Sequence, residues 1–286
     1  MKKIVIPISI FSLLLLYTGV SSAQESDSTG LPGDNFSLQG AIEMFKKAAS
    51  PEEFEKLINT QSNNVNNLDL NGDGEIDYVK VIDKMDKDVH AFVLQVAVSE
   101  SENQDIAVLE LEKTGDATAV LQIVGDEDIY GETVIVEASD GSNDGDDDDT
   151  KMNGPAFNEN YQPTAVVNVW LWPSVRFVYR PVYVPWVSPW RWRHHPSWWR
   201  PWRPAPWRVF HPLAYRYHPY CRVVHTHRVV AAHRIYTPYR VTSVTVRTRH
   251  AVAVKNYRVN RTTRTITGPR GKKVKVTKTR VRGRRG

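Results

Sequence analysis

No acidic residue follows Glu159, and no arginine precedes Arg176. Tryptophan is absent from the first 169 residues, and all nine lie between Trp170 and Trp207. Cys221 is the only cysteine, which excludes an internal disulfide and leaves packing, ions or partners to hold the chain together. Past the N-terminal stretch, no apolar run approaches the ~20 residues that a membrane-spanning helix needs. A glycine-rich phosphate loop is missing, as is a nucleophile motif with a neighbouring base. The chain is therefore expected to be non-enzymatic, with no catalytic residue assigned.

These absences leave two segments of opposite charge. Residues 1–160 hold 32 acidic residues against 10 lysines, a formal −22, and residues 161–286 hold 27 basic residues and no acid. The net charge of +5 is the difference between them, so each half needs its own reading. At the start, Lys2 and Lys3 precede an apolar run from Ile4 to Tyr17, and Ser21-Ser22-Ala23 supplies small residues at a cleavage position. This pattern predicts a signal peptide over 1–23 and an exported protein: periplasmic, outer-surface or extracellular.

The expected fold is α+β. Ser37 and Ser50 each stand at the start of a helical period, and Ser50-Pro51-Glu52-Glu53 combines a cap, a first-turn proline and a capping-box glutamate. From Leu68 the period changes to two, in runs near Tyr78–Ile82, His90–Val98, Ile106–Leu111, Ala117–Val124 and Thr133–Glu137. Two N-terminal helices packed on an antiparallel meander should therefore fill residues 24–137. Residues 138–163, with the Asp146–Asp149 run, read as an acidic disordered linker. Residues 164–286 are basic and Trp/Arg/Pro-rich. Their proline density and Val/Thr/Arg alternation predict extended or β-ribbon chain of low complexity, partly disordered.

One stretch spells out chemistry. Asp69, Asn71, Asp73 and Asp77 place oxygen-bearing side chains in one short curve, with Gly74 at its turn and the Glu75 carbonyl as the backbone ligand. A hard cation needs such an oxygen set. Over these nine residues the chain resembles the DxDxDG-type calcium loops of EF-hands, dockerins and integrin-type repeats. The twelfth position, a bidentate glutamate in EF-hands, is Lys80 here, and a strand-like run follows. The integrin-type hairpin loop is the better match. The resemblance implies weak structural Ca²⁺ binding, about 10⁻⁴–10⁻³ M, because no bidentate glutamate is present.

The basic half offers a different chemistry. Arg191, Arg193, Arg200, Arg203 and Arg208 alternate with Trp190, Trp192, Trp198, Trp199 and Trp202. Guanidinium forks suit phosphate, sulfate or carboxylate, and tryptophan suits sugar faces, bases and membrane interfaces. The expected partners are anionic polysaccharide or lipid headgroups of an envelope or matrix, with peripheral membrane contact. The alternative is a nucleic-acid-binding or self-associating polyanion module regulated by its own acidic half. Cys221, His225, His227 and His233 can also be drawn as a transition-metal site, although histidine is common throughout this composition. The layout as a whole resembles that of exported proteins of Gram-negative bacteria.

Overall fold

The computed structural model describes residues 28–139, 166–267 and 273–279. The segment 1–23 and most of the linker 138–163 lie outside the described residues.

Helix α1 (Leu38–Lys47) starts at Ser37, whose hydroxyl accepts the Gly40 amide at 3.0 Å. Helix α2 (Pro51–Ile58) starts at Ser50, which accepts the Glu53 amide at 3.2 Å. Glu53 reaches back to the amide of Ala49 at 2.7 Å, one residue earlier than a standard capping box. Both helices bury Phe45, Phe54, Ile42 and Ile58 against the sheet.

That sheet is a six-stranded antiparallel meander in sequence order. Its strands are β1 (Val79–Asp86), β2 (Val89–Ala97), β3 (Asn103–Gly115), β4 (Thr118–Gly125), β5 (Val134–Ala138) and β6 (Cys221–Val224). A short helix α3 (Glu127–Tyr130) links β4 to β5. Alternation sorts the side chains: Phe92, Leu94, Leu109, Leu111, Leu121 and Ile123 face α1 and α2. Ala91, Val93, Val108, Val124 and Ile135 face the other way. A bulge between β2 and β3 places Ile106 beside Ala107 on the first face and shifts the β3 alternation by one residue, so that Asp105 lies toward Tyr236 on the second.

The α+β class with an antiparallel sheet is as expected, but the helices are more numerous and more widely placed. In the basic half, α4 (Pro173–Val178), α5 (Trp207–Tyr215), α6 (Val230–Tyr236) and α7 (Val244–Asn260) replace chain expected to be extended. A ribbon does form between β7 (Arg261–Thr267) and β8 (Lys273–Thr279). Elsewhere the basic half is built onto the acidic one. It supplies β6, which pairs Val224 with Ile135 and Arg222 with Glu137. Val169, Trp172, Val175 and Val178 join the same core as Phe45 and Phe92. Val229, Ala232 and Tyr236 cover the second face of the sheet.

Polar groups seal this cover. Glu55, buried on α2, accepts from the Tyr78 hydroxyl (2.8 Å), the Val81 amide (2.8 Å), Trp186 Nε1 (3.2 Å) and Ser188 Oγ (3.0 Å). The open edge of β1 is protected where Asp83 N donates to Trp186 O and Ser188 N donates to Val81 O. Glu137 pairs with Arg222 (3.2 Å) and Arg228 (2.7 Å), and Asp126 with Arg240 (2.6 Å).

Candidate ligand-binding cleft and a second polar cluster

The Asp69–Asp77 loop is a set of oxygen-to-amide turns. Asp69 Oδ1 accepts from the amides of Gly72 (2.6 Å) and Asp73 (3.1 Å), and its Oδ2 from Gly74 (3.0 Å). Gly72 and Gly74 have φ of 71° and 84°, the left-handed region that glycine enters without a Cβ penalty. Gly72 is doubly constrained, because a Cβ there would stand 1.5 Å from Arg249 Nη1 on α7. The Asn71 amide nitrogen donates to Asp73 Oδ2 (2.9 Å) and Asp77 Oδ1 (3.3 Å), so these three side chains converge. Asp69 instead spends both oxygens on backbone amides, and the Glu75 side chain is exposed.

Asp77 is the buried member. Its other oxygen accepts the Leu70 amide at 2.6 Å. Burial pushes its carboxyl up to about 7, and the nearby Asp69 and Asp73 charges push the same way against the Leu70 and Asn71 hydrogen bonds. A carboxylate held this high by desolvation and like charge gains from a cation beside it. The oxygens that converge are those of the Asp73 and Asp77 carboxylates, a donor type that fits Ca²⁺ in chemistry, while Asn71 turns its amide nitrogen to them and its Oδ1 to the Asp73 amide at 2.8 Å.

A cavity of about 400 Å³ opens directly on this loop. Its lining includes Asn71, Asp73, Glu75 and Asp77 of the loop together with Lys80, Arg191, Trp192, Arg193 and Trp199. Four of the five expected loop ligands and four of the ten cationic and aromatic residues expected to bind polyanion thus line one cleft, and Asp69 does not. Trp199 is 3% exposed and packs edge-on against Tyr78 with centroids 5.1 Å apart. Its indole N–H has no hydrogen-bond partner among the described residues. Burial lowers the Lys80 pKa, and its ammonium donates to Asn103 Oδ1 at 2.8 Å.

The remaining cationic and aromatic residues lie outside the cleft lining. Arg200 turns back to the carbonyls of Ser197 and Trp199. Trp198 is exposed and takes the Lys56 ammonium at 5.7 Å from its ring. Trp190 and Trp202 are half-buried, and Trp202 contributes its carbonyl to the Ile76 amide at 2.8 Å. Arg203 and Arg208 are exposed, as are Arg191 and Arg193. Among the described residues none of these five arginines pairs with a carboxylate, whereas Arg222, Arg228 and Arg240 all do.

A second cluster lies on the far face of the sheet. Glu110 on β3 has a fully buried carboxylate, with Oε1 3.0 Å from His233 Nδ1 and Oε2 against His227 Nε2. The ligand atoms of all three fall within 4.8 Å of one another. Desolvation raises the Glu110 pKa to about 9 and lowers those of both imidazoles. Cys221 and His225 do not join it. Cys221 packs on the opposite face toward α1, its thiol pushed up to about 12 by burial, and His225 is exposed. Glu110 was missed in the sequence; the available signal was a lone acid at an inward position of the run Ile106–Leu111.

No family model, curated protein or solved structure matches the chain. Among the described residues, no helix is long and apolar enough to cross a membrane.

Proposed function

We propose that this is an exported, non-enzymatic calcium-binding protein whose cationic aromatic cleft binds an anionic polymer of an envelope or matrix. The observation that carries this reading is the shared cavity, whose lining includes both the acidic loop and Arg191 and Arg193. The guanidinium groups there have no carboxylate partner among the described residues, so they remain free for sulfate, phosphate or uronate. Trp192, half-buried, offers a ring face, and Lys80 offers a further donor. Ca²⁺, held by the Asp73 and Asp77 carboxylates, supplies positive charge to the acidic loop. The arginines then dominate the cleft, and a polyanion meets attraction from loop and arginines alike.

A second reading has its own support. The buried pairs Glu137–Arg222, Glu137–Arg228 and Asp126–Arg240 join the halves, as expected of a basic half that serves its acidic partner. The two readings divide the arginines: Arg222, Arg228 and Arg240 neutralise buried acids, while the arginines of residues 191–208 face solvent.

The test is retention of the full chain on immobilised heparin, eluted with salt. Retention should fall steeply as salt rises, because bound counterions are released on binding. R191A/R193A should elute at clearly lower salt than the parent protein, and R234A, an exposed arginine on α6, should elute with it. Equal elution of the parent protein and R191A/R193A would remove the cleft from the account.

A further inference from the structure

We infer that Glu110, His227 and His233 form a binding site for a divalent transition-metal ion, Zn²⁺ in the first instance, separate from the calcium loop. The donors are two imidazole nitrogens and one carboxylate oxygen, a set suited to Zn²⁺ and its neighbours and not to the all-oxygen preference of Ca²⁺. Their ligand atoms lie within 4.8 Å of one another, and drawing the widest pair in to roughly 3.5 Å gives the separation that tetrahedral bonds of about 2.0–2.2 Å require. The Glu110 carboxylate is completely buried, and its hydrogen bonds run to these two imidazoles. A buried carboxylate without a cation is costly, and a metal ion supplies the missing charge.

The surroundings position the ligands. Glu110, Gln122 and Glu137 stand in one cross-strand row, Glu110 opposite Gln122 and Gln122 opposite Glu137. Gln122 Oε1 accepts the amides of Arg228 (2.7 Å) and Val229 (3.2 Å), and its Nε2 donates to the Thr226 carbonyl (2.9 Å). The loop bearing His227 is thereby fastened at both ends, and the Arg228–Glu137 pair holds it from the side. His233 follows on α6, directly above the same face. Support of this kind, from neighbours that do not themselves bind, is what fixes metal ligands in place. The histidine side chains are 23% and 42% exposed, so an ion here has a solvent-facing side open to water or to a fourth donor. Glu110 belongs to the acidic half and the histidines to the basic half. The ion would clamp α6 onto the sheet.

Zinc titration of the full chain, followed by calorimetry in millimolar calcium, tests this. The expected result is one Zn²⁺ site per chain that calcium does not displace. E110Q, which keeps the shape of the side chain, and H233A, at a half-exposed position, should each weaken that site at least about tenfold. H225A, the exposed neighbouring histidine, should bind as the parent protein does. Parent-like zinc affinity in E110Q or in H233A overturns the assignment, as does a loss in H225A equal to that in H233A.

Discussion

Asp77 and Glu55 are two buried carboxylates that burial treats alike and neighbours treat differently. Burial raises the Asp77 pKa from 3.8 to about 7, and the charges of Asp69 and Asp73 push the same way. With the folded value above the unfolded one, the folded chain retains a proton that the unfolded chain releases as pH rises from 3.8 towards 7. Without calcium, the Asp77 contribution to stability is therefore largest at low pH and is lost as pH rises through that window. D77N should flatten this part of the pH dependence, and millimolar calcium should offset the loss near pH 8. Thermal unfolding across pH, with calcium or with chelator, reads this out. A parent protein whose pH profile matches that of D77N would remove the effect. Glu55 instead meets four donors, so its charge is solvated by the protein. Glu55→Gln places an amide N–H where an acceptor is needed and should cost about 1–3 kcal/mol in denaturant unfolding.

At the scale of elements, the acidic half was legible because its signals are local. Ser37 and Ser50 cap α1 and α2, and period-two runs of Val, Ile and Leu mark β1 to β5. The basic half forms helices that its proline and β-branched residues disfavour by local rules. Pro173 occupies the first turn of α4 and Pro206 precedes α5, positions where a missing N–H costs nothing. Pro212 alone falls inside a helix, in the second turn of α5. The run from Val241 alternates like a strand, yet Ser243 accepts the Val246 amide at 3.2 Å and starts α7. The partner that fixes this start is Glu102, 141 residues away in sequence, which accepts the hydrogen bond of the Ser243 hydroxyl. S243A removes both bonds and should cost about 1–2 kcal/mol, with faster amide exchange in the first turn of α7. The pairing of β6 with β5 has no local signal either. It follows from Arg222 meeting Glu137 and Val224 meeting Ile135 across the sheet.

On the scale of the molecule, opposite charge is used in two ways. Part of the basic half is spent on buried acids: Arg222 and Arg228 on Glu137, Arg240 on Asp126. Glu137 is 1% exposed and Asp126 4% at the side chain, so salt reaches these pairs poorly. The five arginines between 191 and 208 are exposed and fully open to screening. Raising salt from about 0.05 M to about 0.5 M should therefore abolish heparin binding while near-UV circular dichroism and the unfolding midpoint change little. Simultaneous loss of binding and tertiary signal would mean that the exposed and buried charges act as one system.

The cleft account rests on calcium at the acidic loop raising anion affinity at the arginines, and one measurement addresses both. Heparin affinity of the full chain is measured at fixed ionic strength, with millimolar calcium or with chelator, for the parent protein and for D73N. The account predicts tighter binding with calcium in the parent protein and little calcium dependence in D73N, whose loop has lost a cation ligand. Heparin affinity that is the same with calcium and with chelator in the parent protein would contradict it.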